Sequence, residues 1–295
     1  MGFIKKIRLF ILALEGELIK LFIRCRLLKI PHLKHNSSEN QDKVTVSLTS
    51  YGRRVSSTVY YTLISLLRQT HKPSRILLWL DKNEWSIDSI PKRLKDLVEK
   101  GIEIKFCENI KSYKKLIPTL IENRNTNIIT VDDDIFYPRE LVEEFLKMHH
   151  KYPNNIISNV GHKLKFKNGK LLPYNEWELD TNILCSIIFP TGAGGVLYPA
   201  HSLNTEITDE KIFMKLAPNA DDVWFFFMAY LNRTKVIKCD TNLELIPVDL
   251  FYQKFHIGSS LRDTNCGLSH NDLQIRNVMK HYKISDTDLE LFCKS

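Results

Sequence analysis

The apolar and polar positions of this chain fall into distinct regimes. Over the first thirty residues, Phe3, Ile4, Ile7, Phe10, Ile11, Leu14, Leu18, Leu21, Phe22, Cys25 and Leu28 share one stripe when wound at helical period, and most basic residues fall off it. The period predicts an amphipathic helix over residues 1–30. Charges at Lys5, Lys6, Arg8, Glu15, Glu17, Lys20, Arg24, Arg26 and Lys29 interrupt it, and a spanning helix needs roughly 18 or more apolar residues, so the segment does not cross a bilayer. Its pattern is that of a helix lying in the bilayer interface. A helix docked on the body of the protein, or in a seam between two copies, has the same pattern, and both readings stay open. The polar residues 31–43 then form a linker.

From Val44 the pattern alternates. Strand-like runs at 44–51, 75–81, 102–107 and 127–131 are separated by helical runs at 56–69 and 90–100 and a mixed, helical segment from Tyr113 to Glu122. Pro138 suits the first turn of a helix reaching His150, because its missing N–H is not needed there. After Asn155 the order is harder to read: an apolar, glycine-containing run at 186–199, a helix from about Ala220 to Asn232, and an amphipathic helix in 269–282. Strands separated by helices predict an α/β fold, a mainly parallel sheet flanked by helices, with ligands at the carboxyl ends of the strands. We expect a nucleotide-type half over 44–154 and a substrate half over 155–295.

Composition changes this picture little. A chain of 295 residues with 43% apolar and 26% charged content buries a full core. The 42 Lys and Arg against 34 Asp and Glu leave a net charge of +8, which favours an anionic partner: a nucleotide, a membrane surface or nucleic acid. The six cysteines show no paired short spacing, so neither a zinc site nor a disulfide framework is indicated and a reducing, cytoplasmic compartment fits. Lys and Arg are spread along the body rather than clustered with aromatics on one element, which argues against nucleic acid as the partner.

Acids, in contrast, converge. Asp132, Asp133 and Asp134 follow the apolar Ile128–Val131 directly. Adjacent carboxylates beside a buried layer repel unless a cation offsets them. The spacing of Asp132 and Asp134 places two hard oxygen ligands on one turn, which suits Mg²⁺ or Mn²⁺ shared with phosphate oxygens. A solvated acidic turn capping the next helix is the plainer alternative. Gly192, Gly194 and Gly195, between two apolar runs, either admit a sugar to the backbone or make a tight bend. Asp221 and Asp222 open the apolar helix that contains Trp224.

In this order the segments 44–54, 66–81, 128–138, 192–199 and 219–231 resemble the GT-A (Rossmann-like) glycosyltransferases, closest in style to family 2. The resemblance runs from about Val44 to Leu231. It implies transfer of a sugar from a nucleotide-diphospho-sugar, a UDP-sugar, to a saccharide or lipid-linked saccharide acceptor. It places Thr49, Tyr51 and Asp81 on the nucleoside, Arg53 and Arg54 within reach of the diphosphate, and Asp132 at the donor as well as the metal. Asp134 is expected as the principal ligand, with Asp133 facing the other way and the late His256 as a third ligand or a merely packed residue. Gly192, Gly194, Gly195 and Trp224 fall on the acceptor side. Asp222 takes the place of the general base, with inversion at the anomeric carbon, and Asp221 orients the acceptor or caps its helix. The second strand ends in a single acid, Asp81, where the family has an acidic pair. The pathway expected is synthesis of a bacterial capsule, lipopolysaccharide or other surface polysaccharide, with the enzyme peripheral on the inner face of the membrane. Two other classes remain: a sugar-phosphate nucleotidyltransferase, whose Gly-rich phosphate loop is poorly matched by the single glycine after the first strand, and a non-enzymatic basic module that binds membrane or nucleic acid.

Overall fold

A computed structural model describes residues 2–33, 43–179, 188–239, 243–250 and 270–294. The chain divides into two compact units: Met1–Asn109 with Asp132–Glu143 and Leu243–Ile257, and Ile110–Val131 with Glu144–Asn242 and Gly258–Ser295.

In chain order the first unit holds α1 (Gly2–Arg24), β1 (Val44–Thr49), α2 (Arg53–Ser57), α3 (Val59–Leu67), β2 (Arg75–Asp81), α4 (Lys92–Val98) and β3 (Ile102–Cys107). The three strands are parallel in the order β1-β2-β3, in a register that puts Leu48 beside Leu78 and Leu78 beside Ile104. Val44 to Leu48 and Ile76 to Asp81 are buried throughout, as strands covered on both faces require. Of the nine residues of α3 only Tyr60 is outside the buried set, so this helix lies inside the unit and not over it.

Further along, α5 (Ile117–Glu122) and β4 (Asn127–Thr130) belong to the second unit, β5 (Ile135–Phe136) to the first, and α6 (Leu141–Lys151) starts in the first. The helix expected from Pro138 thus begins three residues later. Pro138 instead ends the short excursion of β5. Its carbonyl accepts the Gln69 Nε2–H at 2.8 Å, while Gln69 Oε1 accepts the Val142 N–H at 3.0 Å, so a side chain from another element makes the cap.

The second unit continues with β6 (Ile156–Ser158), β7 (Gly161–Lys163), β8 (Phe166–Lys167), β9 (Lys170–Leu171), β10 (Glu178–Leu179), β11 (Phe189–Pro190), β12 (Val196–Tyr198), α7 (Glu210–Leu216), α8 (Asp221–Leu231) and β13 (Val236–Lys238). Here the order is β13-β6-β12-β4, with β13 parallel to β6 and β12 antiparallel to both neighbours. A three-stranded antiparallel set, β10-β7-β11, lies beside it in sequence. β14 (Ile246–Pro247) returns to the first unit and pairs with β5, and α9 (His270–His281) and α10 (Asp286–Lys294) close the second. Every residue of α8 from Val223 to Tyr230 is buried, and Phe213, Trp224, Phe225, Phe226 and Phe227 form the aromatic centre of that unit's core. The architecture is α/β, with mainly parallel sheet strands and flanking helices.

α1 is docked, but not by its apolar stripe. Ala13, Lys20 and Ile23 are buried, and Gly16 backs onto Pro247 so closely that an added Cβ would lie 2.7 Å from the carbonyl oxygen. Arg24 Nε donates to Tyr61 Oη at 2.8 Å. No described helix is long and apolar enough to cross a membrane.

Candidate functional site

In the first unit, the loop after β1 and the turn before β5 meet. Gly52, at φ +49°, turns the chain where an L side chain would be strained, and its N–H donates to Glu84. The turn delivers Ser50 and Arg54 to the acidic cluster. Ser50 Oγ donates to Asp133 Oδ2 at 2.5 Å, and Arg54 Nη1 reaches Asp133 Oδ1 at 2.7 Å and Asp134 Oδ2 at 3.0 Å. Asp133 is buried and occupied by these two partners, while Asp132 and Asp134 are half-buried. Asp133 and Asp134 lie in the turn itself and converge on the one Arg54 Nη1, so Asp133 does not face away from its neighbour as extended backbone would have it. Tyr137 Oη accepts the Asp132 N–H at 2.8 Å, and the Val248 N–H donates to the Asp134 carbonyl at 2.8 Å, so the turn is held at both ends.

Burial pushes the Asp134 carboxyl up to about 7, with Asp133 and Asp132 adding to the effect and Arg54 opposing it. One guanidinium, that of Arg54, meets two of the three carboxylates. Asp132 and Asp134 are hard carboxylate ligands, a donor set that Mg²⁺ or Mn²⁺ accepts. Among the described residues no three His, Cys, Asp or Glu side chains gather as a protein-only cage. The residues fit an ion shared with a substrate better than a structural one. His256 lies outside the described residues.

The other donor-side residues are arranged less uniformly. Tyr51 is exposed, with the Arg54 guanidinium 5.3 Å from its ring centre. Arg53 pairs with Asp249 at 3.2 Å. Thr49 Oγ1 donates to the Trp79 carbonyl at 2.8 Å, and Asp81 is buried and accepts the Asn83 N–H at 2.9 Å. Both serve local structure as they stand.

In the second unit a separate acidic pair opens α8. Asp221 is buried, accepts Ser112 Oγ–H at 2.7 Å and pairs with Lys115 at 2.9 Å, both side chains at most 10% exposed. Asp222 is half-buried and accepts the Gly192 N–H at 3.3 Å. Burial, with the nearby Asp222 second, keeps the Tyr198 phenol firmly protonated. Gly194 packs against Val160, whose Cγ2 and backbone N would lie 2.6 and 2.8 Å from an added Cβ, and Gly195 sits at φ +84°. These two glycines make a tight bend. Trp224 corrects an expectation: it is fully buried, its indole N–H donates to the Ile207 carbonyl at 3.0 Å, and it touches no solvent that an acceptor would occupy.

Ser50, Ser112 and Lys115 were not singled out from sequence. The only signal was for Lys115, one of two lysines, with Lys114, next to an apolar helical run; both are buried.

No family model matches the chain, and no curated protein does. Among solved structures, S. aureus TarS 1–349 is similar at 15% identity over 72% of this chain and 62% of that one, with a TM-score of 0.48. TarS 1–349 in complex with UDP is similar at 13% identity over 69% and 59%, TM-score 0.45. The complex with UDP-GlcNAc gives 13%, 69% and 57%, TM-score 0.44. The chain thus spans less than two thirds of the length of these structures.

Proposed function

We propose that this protein is a metal-dependent, inverting GT-A glycosyltransferase that moves a sugar from a nucleotide-diphospho-sugar, a UDP-sugar, to a saccharide hydroxyl. The observation that carries the reading is the division of labour in the acidic turn. Asp133 is buried against Ser50 and Arg54, while Asp132 and Asp134, the latter also 3.0 Å from Arg54, are only half-buried beside a strand end of an α/β sheet. That arrangement supports a diphosphate site.

Asp132 and Asp134 would hold the ion, which would supply charge compensation for the departing diphosphate. Arg54 keeps the turn in shape, and Arg53 and Tyr51 are placed on the same loop to meet the nucleotide. Asp222 is the general base: its carboxylate takes the acceptor hydroxyl proton as the acceptor oxygen bonds to the anomeric carbon and the bond from that carbon to the diphosphate oxygen breaks. One displacement inverts the centre. Asp221, buried and paired with Lys115, positions the start of α8. Bacterial surface polysaccharide synthesis is the proposed setting. The six cysteines show no paired short spacing, which supports a reducing compartment, hence the cytoplasmic side of the membrane.

The test is nucleoside diphosphate release from a panel of nucleotide-sugars with Mn²⁺, with and without saccharide acceptors. General-base assistance contributes about 100- to 10,000-fold, so Asp222→Asn should lose activity on that scale with donor affinity little changed. Release of pyrophosphate in place of nucleoside diphosphate, retention of configuration in the product, or a fully active Asp222→Asn enzyme would overturn the corresponding part of the proposal.

A further inference from the structure

α1 exposes the side that an ordinary surface helix buries. Its docking face is the small and mixed set Ala13, Gly16, Lys20 and Ile23. Ile7, Phe10, Ile11, Leu14, Leu18, Leu21 and Phe22 are each between 44 and 55% exposed. At 100° per residue these seven occupy an arc of about 120°, centred opposite the docking face. Leaving seven large apolar side chains in water is unfavourable by roughly 25 cal/mol for each Å² left uncovered, and a patch of this kind marks an interaction surface.

A second feature identifies what covers it. Past the helix the chain runs through exposed Arg26, Leu27 and Lys29 into a cleft of about 210 Å³ lined by Lys29, Pro31, Arg68, Lys72 and Arg139. Arg68 Nη1 donates to the Lys29 carbonyl at 2.9 Å, Lys72 Nζ to the Leu67 carbonyl at 2.7 Å and Arg139 Nε to the Arg68 carbonyl at 3.4 Å, which holds three of the four cations in place. Among the described residues no acid lines the cleft. Burial, then Arg139 and Arg68, draw the Lys72 ammonium below its ordinary range. Around the stripe Glu17 pairs with Lys20 and Glu244 with Arg8, while Glu15 is exposed at its edge.

We propose that the exposed stripe of α1 seats in the interface of an anionic bilayer and that the Lys29–Arg68–Lys72–Arg139 cleft takes a lipid phosphate. An exposed apolar stripe with a cation cluster a few residues past its end suits a lipid surface, whose interface offers both an acyl boundary and a phosphate layer. A second copy of the chain is a worse occupant, because it brings another basic cleft on a molecule of net charge +8. The helix is held by Gly16 against Pro247, so it presents the stripe already formed.

The experiment is sedimentation of the full chain with vesicles of phosphatidylcholine alone and of phosphatidylcholine mixed with phosphatidylglycerol. It needs no turnover and stands or falls apart from the enzymatic reading. The wild type should partition more strongly onto the anionic vesicles, and added salt should weaken this. Leu14→Glu/Leu18→Glu changes exposed positions only and should lose binding to both vesicles. A basic residue near such a surface is worth about five-fold in partitioning. Lys72→Gln/Arg139→Gln should therefore lose roughly 25-fold on the anionic vesicles and distinctly less on the neutral ones, where choline offsets each phosphate. Thermal melts matching the wild type, and a second stripe pair, Leu18→Glu/Phe22→Glu, exclude loss of fold. Absence of wild-type binding, or binding that survives both stripe pairs, overturns the proposal. So does a dimer in sedimentation equilibrium that the stripe substitutions dissolve while vesicle binding is absent. A cleft variant that loses nothing on anionic vesicles overturns the lipid-phosphate part.

Discussion

Replacing Lys115 by methionine removes the cation from a pair whose side chains are 7% and 10% exposed, and leaves the Asp221 carboxylate facing Ser112 alone. Breaking such a pair from one side typically costs 3–5 kcal/mol, because the partner stays charged and desolvated. Two remaining contacts moderate this. The Ser112 hydroxyl still donates at 2.7 Å, and the first turn of α8 favours a negative charge by about 0.3–1 kcal/mol. The carboxyl also has an escape, which is to take up a proton. An unfolded aspartate titrates near 3.9, so protonation in the folded variant costs at most about 4 kcal/mol at pH 7 and about 1.5 kcal/mol at pH 5. The expected destabilisation is therefore about 3–4 kcal/mol at pH 7, shrinking to about 1.5 kcal/mol at pH 5. Urea melts in a background with Trp79 and Trp85 replaced by Phe, itself measured alongside, report the second unit through the fluorescence of Trp177 and Trp224, the latter fully buried in the same helix as Asp221. The double variant Lys115→Met/Asp221→Leu should regain most of the loss, since an apolar pair of similar volume replaces the charges. A single variant within 0.5 kcal/mol of wild type, or a penalty as large at pH 5 as at pH 7, would show that the pair is not a desolvated charge pair and that Asp221 has another role.

Two further outcomes follow from close packing and burial. Gly194→Ala should cost about 1–3 kcal/mol as overpacking, read in the same melts, and Val160→Ala should not rescue it, because the Val160 backbone N would still lie 2.8 Å from the new Cβ. Burial, followed by the neighbouring Glu290, pushes the Cys293 thiol up to about 12, so at pH 8 iodoacetamide should label exposed Cys25 well before Cys293, as peptide mapping will record; equal labelling would contradict the packing of α10.

The strands and helices with strong periods were legible because local pattern and tertiary burial agree there. β1, β2 and β3 sit where their apolar runs predict. The misplaced start of α6 has a nonlocal cause: β5 exists because it pairs with Ile246 and Pro247, more than a hundred residues away, and no local pattern at Phe136 announces such a partner. In α1 the period was right, yet period alone does not say which face docks. Ala13 and Gly16 do so because a small residue lets the helix approach Pro247, a contact chosen by shape rather than by hydrophobicity. Trp224 failed as an acceptor residue for a similar reason. A helix apolar on all sides is interior, and its tryptophan went with it. In the acidic turn the alternation expected of an extended segment gave way to a turn in which Asp133 and Asp134 share one guanidinium, and nothing in the spacing identified Ser50 and Arg54 as the groups that hold them.

The tie between the acidic turn and the strand near residue 247 also sets an order of events in time. The Val248 N–H that closes the turn at the Asp134 carbonyl, and the Asp249 carboxylate that pairs with Arg53, belong to residues synthesised long after the turn itself. At about 5–20 residues per second, the ribosome needs roughly 6 to 23 s to travel from Asp134 to Val248. During that interval the nascent chain carries three neighbouring carboxylates with Ser50 and Arg54 already available and the last clamp missing. The proposed donor site is thus finished from its C-terminal side, and a chain that stops before residue 246 retains all three aspartates without the strand that completes their turn.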